Sequence, residues 1–170
     1  MTYLKNKVEW CLKKAEKELK KEGKHRGLVK IHPDVAKARK HIEKAEHNLK
    51  LMINLRNSKF SDWCGPAAFY TMYHSLLAIL AKFGYESKNQ ECTFALIYSI
   101  VENGSIVFDL ALLENVANID PKKQIENETV IGIREQYQYG TKLSMEDKTY
   151  EELLDVIKRI LGESKRIMEE

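Results

Sequence analysis

The segment from Trp63 to Phe83, WCGPAAFYTMYHSLLAILAKF, is apolar on almost every side of a helical wheel. A helix of that kind has no broad face to turn to water, so other helices must wrap it, and the segment predicts the central post of a bundle. Gly65 and Pro66 open it and Gly84 closes it. Tyr70, Tyr73 and His74 interrupt it with polar tips that a purely structural helix does not need. Spacings of three and four put Tyr70, His74 and Leu77 on one stripe, with Tyr73 on the next. Part of this helix is therefore either hydrogen-bonded in the core or open in a cleft.

Helical periodicity runs through the rest of the chain, with no convincing alternating strand. Leu4, Val8, Cys11, Leu12, Ala15 and Leu19 form one apolar stripe among lysines, ended by Gly23. Lys24 to His32 reads as a basic linker ahead of Pro33, where a second helix starts. Val35, Ala38, Ile42, Ala45, Leu49 and Met52 give that helix a heptad-like seam suited to near-antiparallel packing. Ser61 or Asp62 is the expected cap of the central helix. Beyond Gly84, a loop over Tyr85 to Asn89 leads to a shorter helix with Phe94, Ile97, Tyr98 and Val101, stopped at Asn103-Gly104. Ile106 to Ile119 predicts a further short helix ended by Asp120-Pro121, followed by a polar run to Glu128. Thr129 to Tyr139 carries Val130, Ile133 and Tyr137 on one face. Ser144-x-x-Asp147 reads as a capping-box variant opening a last amphipathic helix with Tyr150, Leu153, Ile157, Ile160 and Ile167. The fold class is all-α, an antiparallel up-and-down bundle of about five helices plus an N-terminal one. Residues 1–32 form a basic helix and linker, and residues 33–170 the bundle.

A chain of 170 residues fits one domain with a sizeable core. Cys11, Cys64 and Cys92 are odd in number, widely spaced and without a C-x-x-C pair, which argues against a zinc site and a disulfide framework. No leader-like segment or apolar run long enough for a membrane appears, so a soluble, cytoplasmic protein without membrane contact is expected. Charge is uneven: residues 1–50 hold 15 Lys/Arg against 7 Asp/Glu, and the remainder 13 against 18, within a net charge of +3. The basic half is a solvated lysine face or a surface for phosphate or an acidic partner.

No glycine-rich phosphate loop, H-E-x-x-H or G-x-S-x-G occurs, and neither a metal nor a cofactor is expected. A tyrosine, histidine and arginine set is left. Arg134, in IGIREQYQYG, puts a guanidinium on a mostly apolar helix with Tyr137 a turn later and Tyr139 near its end. A planar, permanently charged fork suits phosphate, and pairing with Asp62 or Glu91 is the structural alternative. His74 on a buried helix reads more simply as a satisfied core residue than as a catalyst. Cys64 and Cys92 stand near helix starts without an activating neighbour and are structural.

The order of a helix, then WCGPAAFYTMYHSLLAILAKFGYESKNQECT, then IGIREQYQYGT, then a long amphipathic helix resembles the HEPN domains of prokaryotes, over roughly residues 33–168. That resemblance implies an antiparallel helical bundle, usually dimeric and often encoded beside a minimal nucleotidyltransferase. Many such proteins are metal-independent ribonucleases, some of them toxins or antiviral factors. Their nuclease signature is an Arg, four to six residues, then a His, the Arg holding the scissile phosphate while the His assists proton transfer from the 2′-OH. Arg134 matches the Arg, but Tyr139, Gly140 and Thr141 occupy the positions for the His. The Ser-Lys loop often carries a His as well, where Ser87-Lys88-Asn89-Gln90 has Gln90. The resemblance thus implies a HEPN-like protein with a degenerate nuclease motif, whose cleft lined by Arg134, Tyr137, Tyr70 and His74 binds RNA, a nucleotide or a nucleotidyltransferase of a toxin–antitoxin type pair. A homodimer is expected. The alternatives are an active ribonuclease using Arg134 with His74 or Tyr139, and a structural adaptor whose basic N-terminal helix docks an acidic surface.

Overall fold

In the computed structural model, which describes residues 2–117 and 129–170, the apolar post is a helix over Cys64–Lys82. In chain order the elements are α1 (Thr2–Glu22), β1 (Leu28–Lys30), α2 (Val35–Leu55), α3 (Cys64–Lys82), β2 (Tyr85–Ser87), α4 (Gln90–Glu102), α5 (Leu110–Glu114), α6 (Val130–Tyr139) and α7 (Asp147–Glu169). Met72, Leu76, Ile79 and Leu80 of α3 are fully buried in one core with Met52, Ile97, Leu153, Ile157 and Ile160.

The bundle is antiparallel. The Asp34 N–H donates to Ala81 O at 2.9 Å at one end of the α2–α3 pair, and the Cys64 thiol lies 3.5 Å from Met52 O at the other. Arg56 bonds Asp147 at 2.6 Å and Lys165 bonds Glu46 at 2.7 Å, so α7 also runs against α2. Gly65 packs on Arg134 and Tyr137, and Phe69 on Arg134, which sets α6 against α3. The helices α2, α3, α6 and α7 thus alternate up and down.

Several local expectations give way to tertiary contacts. The chain has a two-stranded antiparallel sheet, with Leu28 opposite Ser87, Val29 opposite Glu86 and Lys30 opposite Tyr85. Residues 28–30 and 85–87 pair because α1 and α4 bring their flanking segments together, although neither is long enough to show alternation. Glu86 anchors the sheet: Lys37 and Lys88 pair with it and His25 Nε2 lies 2.8 Å away. Hydrogen bonds from Lys37 and His25 hold its carboxyl down at about 2.

The absence of a disulfide, argued from cysteine spacing, is corrected by a Cys11–Cys92 bond across 81 residues. The apolar stripe of α1 lies on α4, and that docking meets no sequence-local rule. The compartment argument drawn from unpaired cysteines loses this support. Cys64 is buried and free, and burial pushes its thiol up to about 11, as suits a structural residue.

Helix starts differ too. Ser61 does not cap α3 but lies in a 3-10 turn over Ser61–Trp63, where its Oγ accepts the Met145 N–H at 3.1 Å. Ser144 makes no capping bond to α7, whose N-cap is Glu146. Asp34, rather than Pro33, starts α2 by accepting the Lys37 N–H. Of the helix expected over Ile106 to Ile119, the described residues 106–117 form only α5, and its last two residues, the expected stop at Asp120-Pro121 and the polar run lie outside the described residues.

Candidate functional site around Arg134

Helix α6 is short, but both its cap and its face are written in its sequence. Thr129 Oγ1 accepts the Gly132 N–H at 3.1 Å, and Val130, Ile133 and Tyr137 point into the core. Arg134, one turn from Val130 and Tyr137, falls at the edge of that face. Gly65 lets α6 come close: even a methyl there would lie 3.5 Å from the Arg134 Cα and the Tyr137 Cβ. A larger side chain would push the helices apart.

The Arg134 side chain is only 13% exposed, and its guanidinium lies 4.2 Å from the Phe69 ring centroid. That face-on contact contributes on the order of 0.5–2 kcal/mol. Nη1 donates to Gln90 Oε1 and Nη2 to Glu135 Oε1, both at 3.4 Å, while Nε is buried without a protein partner. Neither Asp62 nor Glu91 takes the pairing role; Glu91 bonds Lys7 at 2.8 Å. Two long contacts leave most of the donor capacity of the guanidinium unspent.

Around this cation the predicted residues divide. Tyr70 is 48% exposed and meets Phe69 edge-on at 5.2 Å, so it stands beside the Arg134 patch. Tyr137 lies in the core, and Tyr139 is exposed at the end of α6. His74 turns to the α2 side of its helix, where its Nδ1 is 2.9 Å from His41 Nδ1. Burial, then His41 and Lys44, lower His74 to about 4, and burial first also lowers His41. The two groups are connected only through rings: Phe69 stacks on Tyr73 at 5.6 Å, and Tyr73 lies 6.5 Å from His74.

Three contributors went unread in the sequence. Phe69 looked like core, His41 like one of many basic-half histidines, and Gln90 only like the residue standing where a His is frequent. Its amide oxygen, 3.4 Å from Arg134 Nη1, gives the guanidinium an acceptor that does not titrate.

Beside Gln90 opens a pocket of about 350 Å³, lined by Tyr3 and Lys7 of α1, Gln90, Glu91 and Phe94 of α4, and Thr129 and Ile131 near the start of α6. A smaller one of about 200 Å³ lies between Lys37, His41, Glu86 and Lys88. Among the described residues no three His, Cys, Asp or Glu groups are arranged to hold a metal, and no helix is long and apolar enough to cross a membrane. Residues 38–167 match the HEPN domain family. No curated protein matches the chain.

Proposed function

The chain belongs to the HEPN domain family, and we propose that it binds RNA or a nucleotide through a phosphate on Arg134 without cutting it. One observation carries the reading: a permanently charged guanidinium, mostly buried on Phe69, has two long contacts and an unpartnered Nε. A mostly buried cation whose carboxylate neighbour, Glu135, stands at 3.4 Å gains from an anion that supplies shorter, paired acceptors. Catalysis needs in addition a group that takes the 2′-OH proton near neutral pH. Gln90 does not titrate, Tyr139 sits in open solvent, and the Nδ1 of His74 faces His41.

Binding of a fluorescent oligouridine to Arg134→Ala tests the reading. A loss of roughly tenfold to a hundredfold is expected for one charge-assisted contact, with no cleavage by the parent protein in EDTA. Unchanged affinity reduces Arg134 to a packing residue and favours the adaptor. The ribonuclease alternative draws on the ring series from Arg134 to His74 and on a His74 that is neutral at pH 7. EDTA-resistant cleavage abolished by both Arg134→Ala and His74→Ala would establish it.

A homodimer, or a complex with a minimal nucleotidyltransferase, accompanies the binding reading. Trp63, in the turn that leads into α3, and Tyr70 on α3 are each about half exposed. Aromatic rings held open in this way suit an interface. Sedimentation of the purified chain at low micromolar concentration is expected to give a species above 20 kDa, shifted to monomer by Tyr70→Lys; a monomeric parent would leave the hetero-complex alone.

A further inference from the structure

The geometry points to α1 as a binding track for single-stranded RNA, a surface outside residues 38–167 and therefore specific to this chain's N-terminal part. Tyr3, Lys7, Trp10, Lys14, Lys17 and Lys21 follow one another at alternating steps of four and three, which aligns them on one helical stripe. Tyr3 is 59% and Trp10 52% exposed. Lys7 Nζ and Lys14 Nζ lie over the Trp10 ring, 5.2 and 5.0 Å from its centroid. Rings at Tyr3 and Trp10 thus alternate with the cations of Lys7 and Lys14 over about 17 Å of helix, at 1.5 Å per residue, and Lys17 and Lys21 carry the charge on for about two more turns.

Its charge is not cancelled by its own helix. Glu9 and Glu16 pair with Lys13 and Lys20 on another face, Glu18 accepts the Arg26 N–H, and Glu22 pairs with the Arg26 side chain. Among the described residues only Lys7 of the stripe has an ion pair, with Glu91. The Cys11–Cys92 bond ties the adjacent face of α1 to α4, which fixes the roll of the helix and turns the stripe outward. At its N-terminal end Tyr3 and Lys7 line the same pocket as Gln90, whose side chain bonds Arg134. A strand laid along α1 would therefore run toward Arg134.

Rings spaced between cations suit unpaired bases with phosphates beside them, because every base offers a π-face. A duplex hides its bases and can use only the lysines. A membrane surface would need a broad exposed apolar face, whereas the apolar side of α1 is spent on the core through Cys11 and Ala15. For where the strand leads, the track rests on the reading of Arg134 as a phosphate-binding group.

Anisotropy titrations of the full chain with a fluorescent 12-residue oligouridine, and with an RNA duplex of equal length, test it. Trp10 is exposed, so Trp10→Ala leaves the core intact; it should weaken oligouridine binding about tenfold and duplex binding little. Lys14→Gln with Lys17→Gln should reduce the single-strand salt slope by about 1.4, from roughly 0.7 per phosphate contact. Trp10→Ala without effect, or with equal effect on the duplex, overturns the track. So does Trp10-dependent binding to phosphatidylserine vesicles without binding to oligouridine. If Trp10→Ala is silent while Arg134→Ala weakens binding, the track falls and the Arg134 reading stands. If Trp10→Ala weakens binding and Arg134→Ala does not, the stripe binds RNA and the Arg134 reading falls.

Discussion

His41 and His74 face each other through Nδ1 atoms 2.9 Å apart, an arrangement that works only if one nitrogen carries a proton and the other does not. Two imidazolium rings would set N–H against N–H. Burial and nearby Lys37 and Lys44 push in the same direction, and His74 falls to about 4 from an ordinary value near 6.5. The sign follows from proton counting. Between pH 6.5 and 4 the unfolded chain takes up a proton that the folded chain refuses, so stability is full above the upper limit and declines as pH falls through the window. We expect the melting temperature to drop from pH 7 to pH 5, and the drop to shrink in His74→Gln. A parallel pH profile for parent and variant would show that the pair does not couple to folding. At this scale the sequence exposed Arg134 and His74 through residue type and helical placement. It did not expose Phe69, Gln90 or His41, because their roles depend on helices that meet only in three dimensions.

Elements were legible in proportion to how local their causes are. Val130, Ile133 and Tyr137 are buried as their spacing requires, and Gly23, Gly84 and Gly104 follow helices with φ of +67, +80 and +77. Caps at Ser61 and Ser144 failed because the segments beside them are used by long-range partners, Met145 for Ser61 and Arg56 for Asp147. The strands escaped notice for the same reason. Gly84 shows how tightly the turn into β2 is held: it donates to Ala81 O, accepts the Ile31 N–H, and a Cβ would lie 2.9 Å from Ile31 O. Gly104 has nothing within 4 Å of its Cβ position. Gly104→Ala should therefore cost about 1 kcal/mol for the positive φ alone, and Gly84→Ala about 2–3 kcal/mol, since the backbone contact must also relax. Urea midpoints at unchanged m-value measure both, and equal losses would mean that the turn around Ile31 yields freely.

At the scale of the molecule the question is whether residues 1–32 stand apart. Their charge and the Gly23-to-Pro33 segment suggest a boundary, yet the contacts across it are substantial. Leu28 is fully buried, Lys88 N–H donates to Gly27 O at 2.9 Å, His25 meets Glu86, and Cys11 is bonded to Cys92. Closing a loop of about 80 residues removes unfolded-state entropy worth about 4–5 kcal/mol in the chain-entropy description. Burying Leu28 adds about 1.5–3 kcal/mol. The first contribution vanishes on reduction and the second does not, so the two can be separated. In Trp63→Phe the one remaining tryptophan is Trp10, on α1, and its fluorescence reports that helix while circular dichroism reports the whole bundle. Without reductant the two urea transitions should coincide, as one cooperative unit requires. With dithiothreitol both should move to lower urea and still coincide, because the sheet and the packing of α1 on α4 persist. Loss of the Trp10 signal at lower urea than the circular dichroism, under reducing conditions only, would mean that the disulfide alone holds α1 in place, and the binding track on that helix would then depend on oxidation.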